Sequence, residues 1–152
     1  MEKASMDQMK RYGLWLIIFL LASGLVSCSG KGASAGQDYP MASMDQLPVD
    51  VQSQPVNVIQ SYQFAFANPS VLSQIPCYCG CGAMGHTSNY SCYVQGVQEN
   101  GQILYDPHAL GCSICVDITQ DSMRLLSEGK NVPEIRAYVD STYAQYGPSN
   151  MP

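Results

Sequence analysis

The sequence predicts a small, mainly α-helical domain of about four helices around an irregular, cysteine-rich centre, with one short β-hairpin as a further possible element. Apolar residues recur at helical spacing in several segments, and prolines and glycines stand where those segments end. The stretch between them is rich in Gly and Cys and lacks helical periodicity. A length of 152 residues with 46% hydrophobic content fits one such domain plus processing and tether segments.

Residues 1–27 have the features of a lipoprotein signal peptide. A polar start ending in Lys10-Arg11 precedes the apolar run LWLIIFLLA at 14–22, which is short for a membrane-spanning helix. The sequence LVSC that ends at Cys28 resembles the lipobox of bacterial lipoproteins, in which the cysteine becomes lipid-modified and starts the mature chain. The alternative is an uncleaved signal anchor with an ordinary thiol at position 28. Both interpretations place the domain on the extracytoplasmic face of a cell membrane.

The segment after the leader, residues 29–54, contains Gly, Ser and Pro throughout and has no sustained periodicity. This composition is typical of a flexible tether. We therefore expect the lipidated cysteine and its tether to occupy residues 28–54 and the folded domain to occupy residues 55–152.

The charge balance of the exported part is acidic. The whole chain has 7 Lys and Arg against 12 Asp and Glu, and three of those cations precede the lipobox. Nucleic acids and anionic lipid surfaces need clustered Lys and Arg. We expect no nucleic-acid binding, and contact with the membrane only through the lipid anchor.

The first predicted helix covers residues 56–67 (VNVIQSYQFAFA), where apolar side chains recur at helical spacing. Asn68 and Pro69 end it, because proline cannot continue the hydrogen-bond ladder. A short second helix is predicted from Pro69 to Ile75, with Asn68 as its cap and proline at its first position.

The centre of the domain has weak signals for two strands. Residues 90–97 and 102–105 are the candidates, and Glu99-Asn100-Gly101 forms a plausible turn between them.

Two further helices are predicted after the hairpin. Asp106-Pro107 looks like a cap followed by a first-turn proline, and apolar spacing then continues to Gly129, with Gly111 leaving open whether this helix is one piece or two. The last helix runs over residues 131–146 and presents Ile135, Val139, Tyr143 and Tyr146 along one stripe.

The residues that can carry chemistry are concentrated in about forty positions. Sulfur and imidazole are soft ligands, which favour Cu(I) and then zinc. Their number exceeds the four ligands of one tetrahedral zinc, so they imply a polynuclear cluster, two sites, or one site beside a disulfide. The candidate metal ligands are Cys77, Cys79, Cys81, His86, Cys92, His108, Cys112 and Cys115. Met84 is a weaker thioether candidate.

Two local spacings support a shared site. If the helix after Pro107 is continuous, His108, Cys112 and Cys115 project from one face at i, i+4 and i+7. In an extended segment, the three thiols of the 77–81 stretch (CYCGC) point the same way, and its glycines permit a tight curl.

Disulfides are the first alternative, because an even number of cysteines in an exported small domain normally forms bridges. Adjacent Cys-x-Cys thiols are strained as a direct pair, so each of the three would bond to Cys92, Cys112 or Cys115. Such a stapled interaction module would use its tyrosines to meet a partner, and each histidine would serve only as a hydrogen-bonding or solvent-facing residue.

A thiol-disulfide redox protein is the second alternative. Cys112-Ser113-Ile114-Cys115 has the two-residue gap of dithiol oxidoreductases, and His108 stands one helical turn away, where it would lower a thiol pKa. No βαβ pattern surrounds the motif, so a non-catalytic protein is favoured over an enzyme.

The run Pro76-Cys77-Tyr78-Cys79-Gly80-Cys81 resembles the defining motif of the PCYCGC-motif lipoproteins, a bacterial family. The resemblance extends roughly from Tyr62 to the C-terminus, and it implies export through a lipobox. The family-like elements are Gly85-His86, Ser88-Asn89, Cys92, Tyr105-Asp106, His108, Cys112, Cys115 to Ile118, Ile135-Arg136, Tyr143 and Tyr146-Gly147.

These observations together predict a lipid-anchored extracytoplasmic protein that binds a copper or zinc ion through its eight cysteine and histidine side chains. Storage, delivery and sensing of the metal all fit this prediction. The expected partner is a membrane or exported metal-handling or redox protein.

Overall fold

The computed structural model describes residues 39–151. The predicted signal peptide, Cys28 and residues 29–38 of the predicted tether lie outside this range. Within it, no helix has the length and apolar character needed to cross a membrane. The described elements are α1 Val49–Gln52, α2 Val56–Ala67, α3 Pro69–Leu72, β1 Val94–Val97, β2 Ile103–Tyr105, α4 Ser113–Ser127 and α5 Val132–Tyr143. The predicted class, mainly α-helical with one short hairpin, is confirmed.

The helix α2 begins and ends at the predicted residues, and α3 begins on Pro69 as expected. However, α3 ends at Leu72 rather than at Ile75, because a residue before proline disfavours helical geometry and Pro76 follows. The Asn68 side chain does not cap α3. Its amide instead donates to the carbonyl oxygens of Pro40 and Phe64, at 2.8 and 2.9 Å.

Residues 39–54 are packed on the domain, so the prediction of a flexible tether is wrong for this part. Leu47 and Val51 stand four residues apart and are 4% and 0% exposed. The ring of Tyr39 meets Phe64 edge-on at 5.0 Å between centroids. The Ala42 amide donates to the carbonyl of a residue of α2 at 3.0 Å. Two apolar side chains in a polar segment are therefore enough to anchor it to α2.

The hairpin is antiparallel, with Val94 opposite Tyr105 and Val97 opposite Ile103, and it contains a bulge just after Val94. Gly101 has φ +84° in its turn, a conformation that glycine adopts without strain. The first strand is shorter than predicted because residues Tyr90–Cys92 form a 3-10 turn. This turn directs Cys92 into the core.

The segment after Pro107 is not one continuous helix. A 3-10 turn at His108–Leu110 comes first, and α4 begins only at Ser113. Between them Cys112 has an extended backbone, with φ −123° and ψ 100°. Gly111 is thus a break, and the predicted i, i+4, i+7 helical face does not form.

The last helix, α5, has the capping box that its sequence suggests: Asn131 accepts from the Glu134 amide at 3.0 Å and donates its own amide to the Glu134 carboxylate at 2.9 Å. Ile135, Val139 and Tyr143 face the core. The expected stripe stops there, because the chain passes into a 3-10 turn and leaves Tyr146 56% exposed.

The core is built where α2 packs on α4 and α4 packs on α5. Tyr62 and Tyr93 are fully buried and meet edge-to-face, with centroids 4.9 Å apart. The buried side chains around them include Phe64, Leu72, Ile75, Ile118, Ile135 and Val139, and also the cysteines Cys77, Cys81, Cys92 and Cys115. The cysteine-rich centre is therefore part of the hydrophobic core.

Residues 147–151, which we term the strap, lie across the PCYCGC segment. The Asn150 amide donates to the Cys77 carbonyl at 3.1 Å. At Gly147 the two backbones approach so closely that an added Cβ would lie 2.9 Å from the carbonyl oxygen of Tyr78. Glycine is required at this crossing because there is no space for a Cβ atom.

We predict that Gly147→Ala lowers the free energy of unfolding by about 1–3 kcal/mol, because the new methyl group must displace the Tyr78 carbonyl or the strap. The measurement is urea unfolding of the reduced, metal-free protein followed by circular dichroism. Gly96→Ala is the matched control, since an added Cβ there has no neighbour within 4 Å. Equal destabilisation of the two variants would contradict the close crossing.

Candidate metal centre

The eight predicted ligands come together at one place in the fold. Three cysteines lie in the PCYCGC segment after α3, and His86 follows that segment. Cys92 and His108 lie on 3-10 turns, and Cys112 and Cys115 lie at the start of α4. The converging residues are Cys77, Cys79, Cys81, His86, Cys92, His108, Cys112 and Cys115. Four separate parts of the chain therefore build one group of donors.

The sulfur atoms are spaced like the ligands of a metal. The Cys77 Sγ lies 3.4 Å from the Sγ atoms of Cys79 and Cys115, and the Cys81 Sγ lies 3.7 Å from that of Cys92. Sulfurs at Zn–S distances of about 2.3 Å in a tetrahedron are about 3.8 Å apart. A disulfide needs about 2.05 Å. All six described cysteines are free thiols.

The donors fall into overlapping groups in which all ligand atoms lie within 4.8 Å of one another. Two groups have four members and share His108, and two groups of three share Cys77. The groups are Cys79, His108, Cys112 and Cys115; Cys81, His86, Cys92 and His108; Cys77, Cys79 and Cys81; and Cys77, Cys92 and Cys115. Each four-membered group could hold a tetrahedral metal ion.

The three thiols of the CYCGC stretch converge, as their alternation predicts. Gly80 has φ +83°, which turns the chain into a 3-10 turn at Cys81–Met84. The grouping of His108, Cys112 and Cys115 also occurs, although the helix that was expected to produce it is broken. The break at Gly111 lets the His108 turn fold back over the start of α4.

His86 is oriented by a carboxylate. Its Nε2 lies 3.3 Å from Oδ2 of Asp106, while its Nδ1 is buried and has no hydrogen-bond partner of conventional geometry in the described part of the chain. The other oxygen of Asp106 accepts from the His108 amide at 2.8 Å. Metal-binding histidines commonly donate one ring N–H to a carboxylate and bind the ion through the other nitrogen. Nδ1 is therefore the ring nitrogen of His86 that could bind an ion.

Cys115 is held by a buried polar network. Its carbonyl oxygen accepts from the Tyr93 hydroxyl at 2.9 Å and from the Asn89 amide at 3.2 Å. Thr119 donates to Asn89 Oδ1 at 2.7 Å and lies 2.7 Å from the Tyr93 oxygen. All three side chains are fully buried. This network fixes the first turn of α4, and with it the sulfur of Cys115.

Asn150 of the strap supports the opposite side of the site. Its Oδ1 accepts from the Cys77 amide at 2.7 Å, and its Nδ2 lies 3.5 Å from the Cys81 sulfur and donates to the Ser88 carbonyl at 3.1 Å. Sequence reasoning missed this residue, because no local signal connects a position near 150 with the motif at 76–81. Asp106 was recognised only as a helix cap, although its place two residues before His108 is a usable signal.

The thiol protons are shared unevenly across the cluster. Hydrogen bonds from Cys115 and Cys92 hold the pKa of Cys77 far below its ordinary range, and a hydrogen bond from Cys92 lowers the pKa of Cys81 to about 6. The pKa of Cys92 is raised, chiefly by its hydrogen bond with Cys115, and burial raises that of Cys79. These interactions favour the thiolate form at Cys77 and Cys81 and the protonated form at Cys79 and Cys92.

Positive charge for these thiolates does not come from the basic side chains of the described domain. All of them form ion pairs with carboxylates on or beside α4 and α5: Arg124 with Asp121 and Glu128, Lys130 with Glu134, and Arg136 with Asp140. Full ionisation of the buried cysteines therefore requires a bound cation, since buried charge must be paired.

The site reaches solvent on its histidine side. A pocket of about 360 Å³ is lined by His86, Asp106 and His108 and by the 59% exposed Met84. Cys112 lines a second pocket of about 290 Å³. The other sulfurs, apart from the half-buried Cys79, are buried. A small ion can thus enter from the surface while most donors stay protected.

The fold and the site together define a small, mainly α-helical domain whose buried cysteines and half-buried histidines could hold a metal ion. The chain belongs to the family described as proteins of unknown function with a PCYCGC motif, whose family model matches residues 17–152. No curated protein and no solved structure matches it. The membership expected from the motif is confirmed.

We predict that iodoacetamide labels Cys79 and Cys112 of the reduced, metal-free protein before the other four cysteines of the site, because these two are the only cysteines of the six that are partly exposed. Mass spectrometry of peptides after timed labelling gives the order, and labelling in denaturant provides the reference for full reactivity. Rapid reaction of a single cysteine, with five protected, would contradict this pattern and favour a dithiol enzyme.

Proposed function

We propose that the protein is a lipid-anchored, extracytoplasmic soft-metal-binding protein that holds copper or zinc for storage, delivery or sensing. The observation that carries the proposal is the convergence of six sulfur and two imidazole donors into overlapping groups of three and four, in each of which all ligand atoms lie within 4.8 Å of one another. Thiolates and imidazoles suit Cu(I) and zinc far better than magnesium or calcium, which take oxygen ligands.

The burial of the donors supports binding over catalysis. Cys77, Cys92 and Cys115 are 0% exposed and Cys81 is 1% exposed. A metal-binding protein needs such protected thiolates, whereas a thiol enzyme needs one exposed thiol of lowered pKa. Cys112, one of the two half-buried cysteines, has a histidine and two further cysteines in its group.

The leader supports attachment to the outer face of a membrane through Cys28. Residues 1–27 and the lipobox lie outside the described part of the chain, so this proposal depends on their sequence. The pocket at His86 and His108 suits transfer of an ion to or from a membrane or exported partner that handles metals or redox chemistry.

A thiol-disulfide redox protein is the second candidate, favoured by one observation. Cys112 is the N-cap of α4 and Cys115 lies in its first turn, and a helix N-terminus stabilises a thiolate. Oxidation of this pair would form one disulfide and release two electrons and two protons to a thiol-disulfide partner. A disulfide-stapled interaction module is the remaining alternative, with three bridges among the six cysteines.

Native mass spectrometry of the full chain in detergent separates these functions. The protein is prepared under air, and again anaerobically after supply of copper and zinc. Retained metal with intact thiols supports the proposal. A mass lower by six hydrogens without metal in both preparations overturns it in favour of a stapled module, and a single reversible disulfide without metal favours a redox protein.

We predict that Cys79→Ser lowers the amount of metal retained, because Cys79 belongs to two of the donor groups. Metal content after exhaustive dialysis is the measurement, and Ser73→Ala, at an exposed position just after α3, is the control. A variant with unchanged metal content would contradict the assignment. A free partner thiol and a covalent dimer would point to disulfides.

We predict that Asp106→Asn lowers the affinity for zinc by roughly 10–100-fold, the usual effect of removing a carboxylate behind a metal-binding histidine. Asparagine has a single side-chain oxygen, so it cannot accept from both His86 Nε2 and the His108 amide. Competition with a chromophoric chelator at pH 7 measures the affinity. The exposed Asp45→Asn is the matched control, and equal affinities for both variants would contradict this role of Asp106.

A further inference from the structure

The donor groups have an arrangement that a single ion does not explain. Cys79, Cys112 and Cys115 occur together in one four-membered group, and Cys81, His86 and Cys92 occur together in the other. Each trio stays within its own group, and only His108 completes both. We term these the first trio and the second trio.

Cys77 lies between the two trios. It shares one group with Cys79 and Cys81 and another with Cys92 and Cys115, so each of these groups takes one member from either trio. Its sulfur is 3.4 Å from those of Cys79 and Cys115. A thiolate sulfur has more than one lone pair and can bind two metal ions at once.

We infer that the site is one two-ion centre, with an ion on each trio, His108 as a further ligand and the sulfur of Cys77 as the bridge between the ions. This inference rests on the proposed function and adds the number of ions and their connection. Each trio together with the bridging sulfur of Cys77 supplies four ligands to its ion, and His108 is a further ligand, whereas one tetrahedral ion would leave half of the eight donors unused.

The backbone that carries the bridging sulfur is held at both its amide and its carbonyl group. Cys77 is 0% exposed, and Asn150 holds its amide through Oδ1 at 2.7 Å and its carbonyl through the backbone amide at 3.1 Å. A bridging ligand must keep its distance to two ions at once, so this clamp suits a bridge better than it suits a mobile terminal ligand.

Charge compensation also favours two ions. The six cysteines carry six negative charges when fully ionised. Two divalent ions leave a charge of −2 on these thiolates, and one ion leaves −4. Because the basic side chains of α4 and α5 are engaged by carboxylates, the larger residual charge has no partner in this part of the chain.

Zinc and cobalt(II) test the inference on the full chain in detergent. Native mass spectrometry of the metal-free, reduced protein titrated with zinc is expected to saturate at two ions per chain. Cys112→Ser and Cys92→Ser remove one ligand from the first and the second trio, and each is expected to retain one ion. In a cobalt(II) titration, the paramagnetic resonance signal should grow during the first equivalent and fall during the second, because thiolate-bridged cobalt ions are magnetically coupled.

Cys77→Ala separates the bridge from the two trios, since it removes the shared sulfur and leaves both trios intact. After two equivalents of cobalt, the paramagnetic resonance signal of Cys77→Ala should exceed that of the unaltered protein, because the two ions are no longer coupled through a shared sulfur. Saturation at one ion, or at more than two, overturns the two-ion centre while leaving the metal-binding function standing. If the protein binds two ions and the paramagnetic resonance signal does not fall during the second equivalent of cobalt, the sulfur of Cys77 is not a bridge. Absence of any bound metal overturns the proposed function as well.

Discussion

The gathering of six thiols and two imidazoles in one place, partly inside the core, is the constraint on which the rest of this structure depends. Four of these sulfurs are in the hydrophobic core itself, where an unpaired thiolate would be costly. The fold meets the constraint by placing donors and hydrogen-bonding groups against the cluster from several sides. Asn89, Tyr93 and Thr119 support it from within the core, and Asn150 supports it from the strap.

The helices therefore form the packed support of the cluster. α2 and α5 pack on α4, and α4 presents Cys115 from a first turn whose carbonyl oxygen accepts from the buried side chains of Tyr93 and Asn89. Binding a metal to such a site is coupled to folding, since its donors are far apart in the unfolded chain. The compact arrangement and the ion would stabilise each other.

Local signals in the sequence predicted the parts of the fold that depend on local interactions. The spacing in α2, the proline that starts α3 and the Asn131 capping box each act within a few residues. The alternation in the CYCGC stretch likewise predicted that its thiols converge. The two-piece helix after Pro107 was left open, since a single glycine permits either form.

Long-range contacts account for what the sequence did not reveal. Residues 39–54 look like a linker until Leu47 and Val51 are seen against α2. Asn150 and Asp106 support the candidate site through contacts that only the folded chain creates. The grouping of Cys112 with His108 was expected for the wrong geometric reason, because tertiary folding rather than helical periodicity brings them together.

The strap has a consequence for the order of events during biosynthesis. The motif at 76–81 leaves the ribosome about seventy residues before Asn150, and a chain that crosses a membrane from its N-terminus would present these parts in the same order. The backbone of Cys77 has no clamp until the strap arrives. Mature affinity for an ion would therefore develop only after residue 150 has emerged, which would keep a nascent polypeptide from trapping metal before its synthesis is complete.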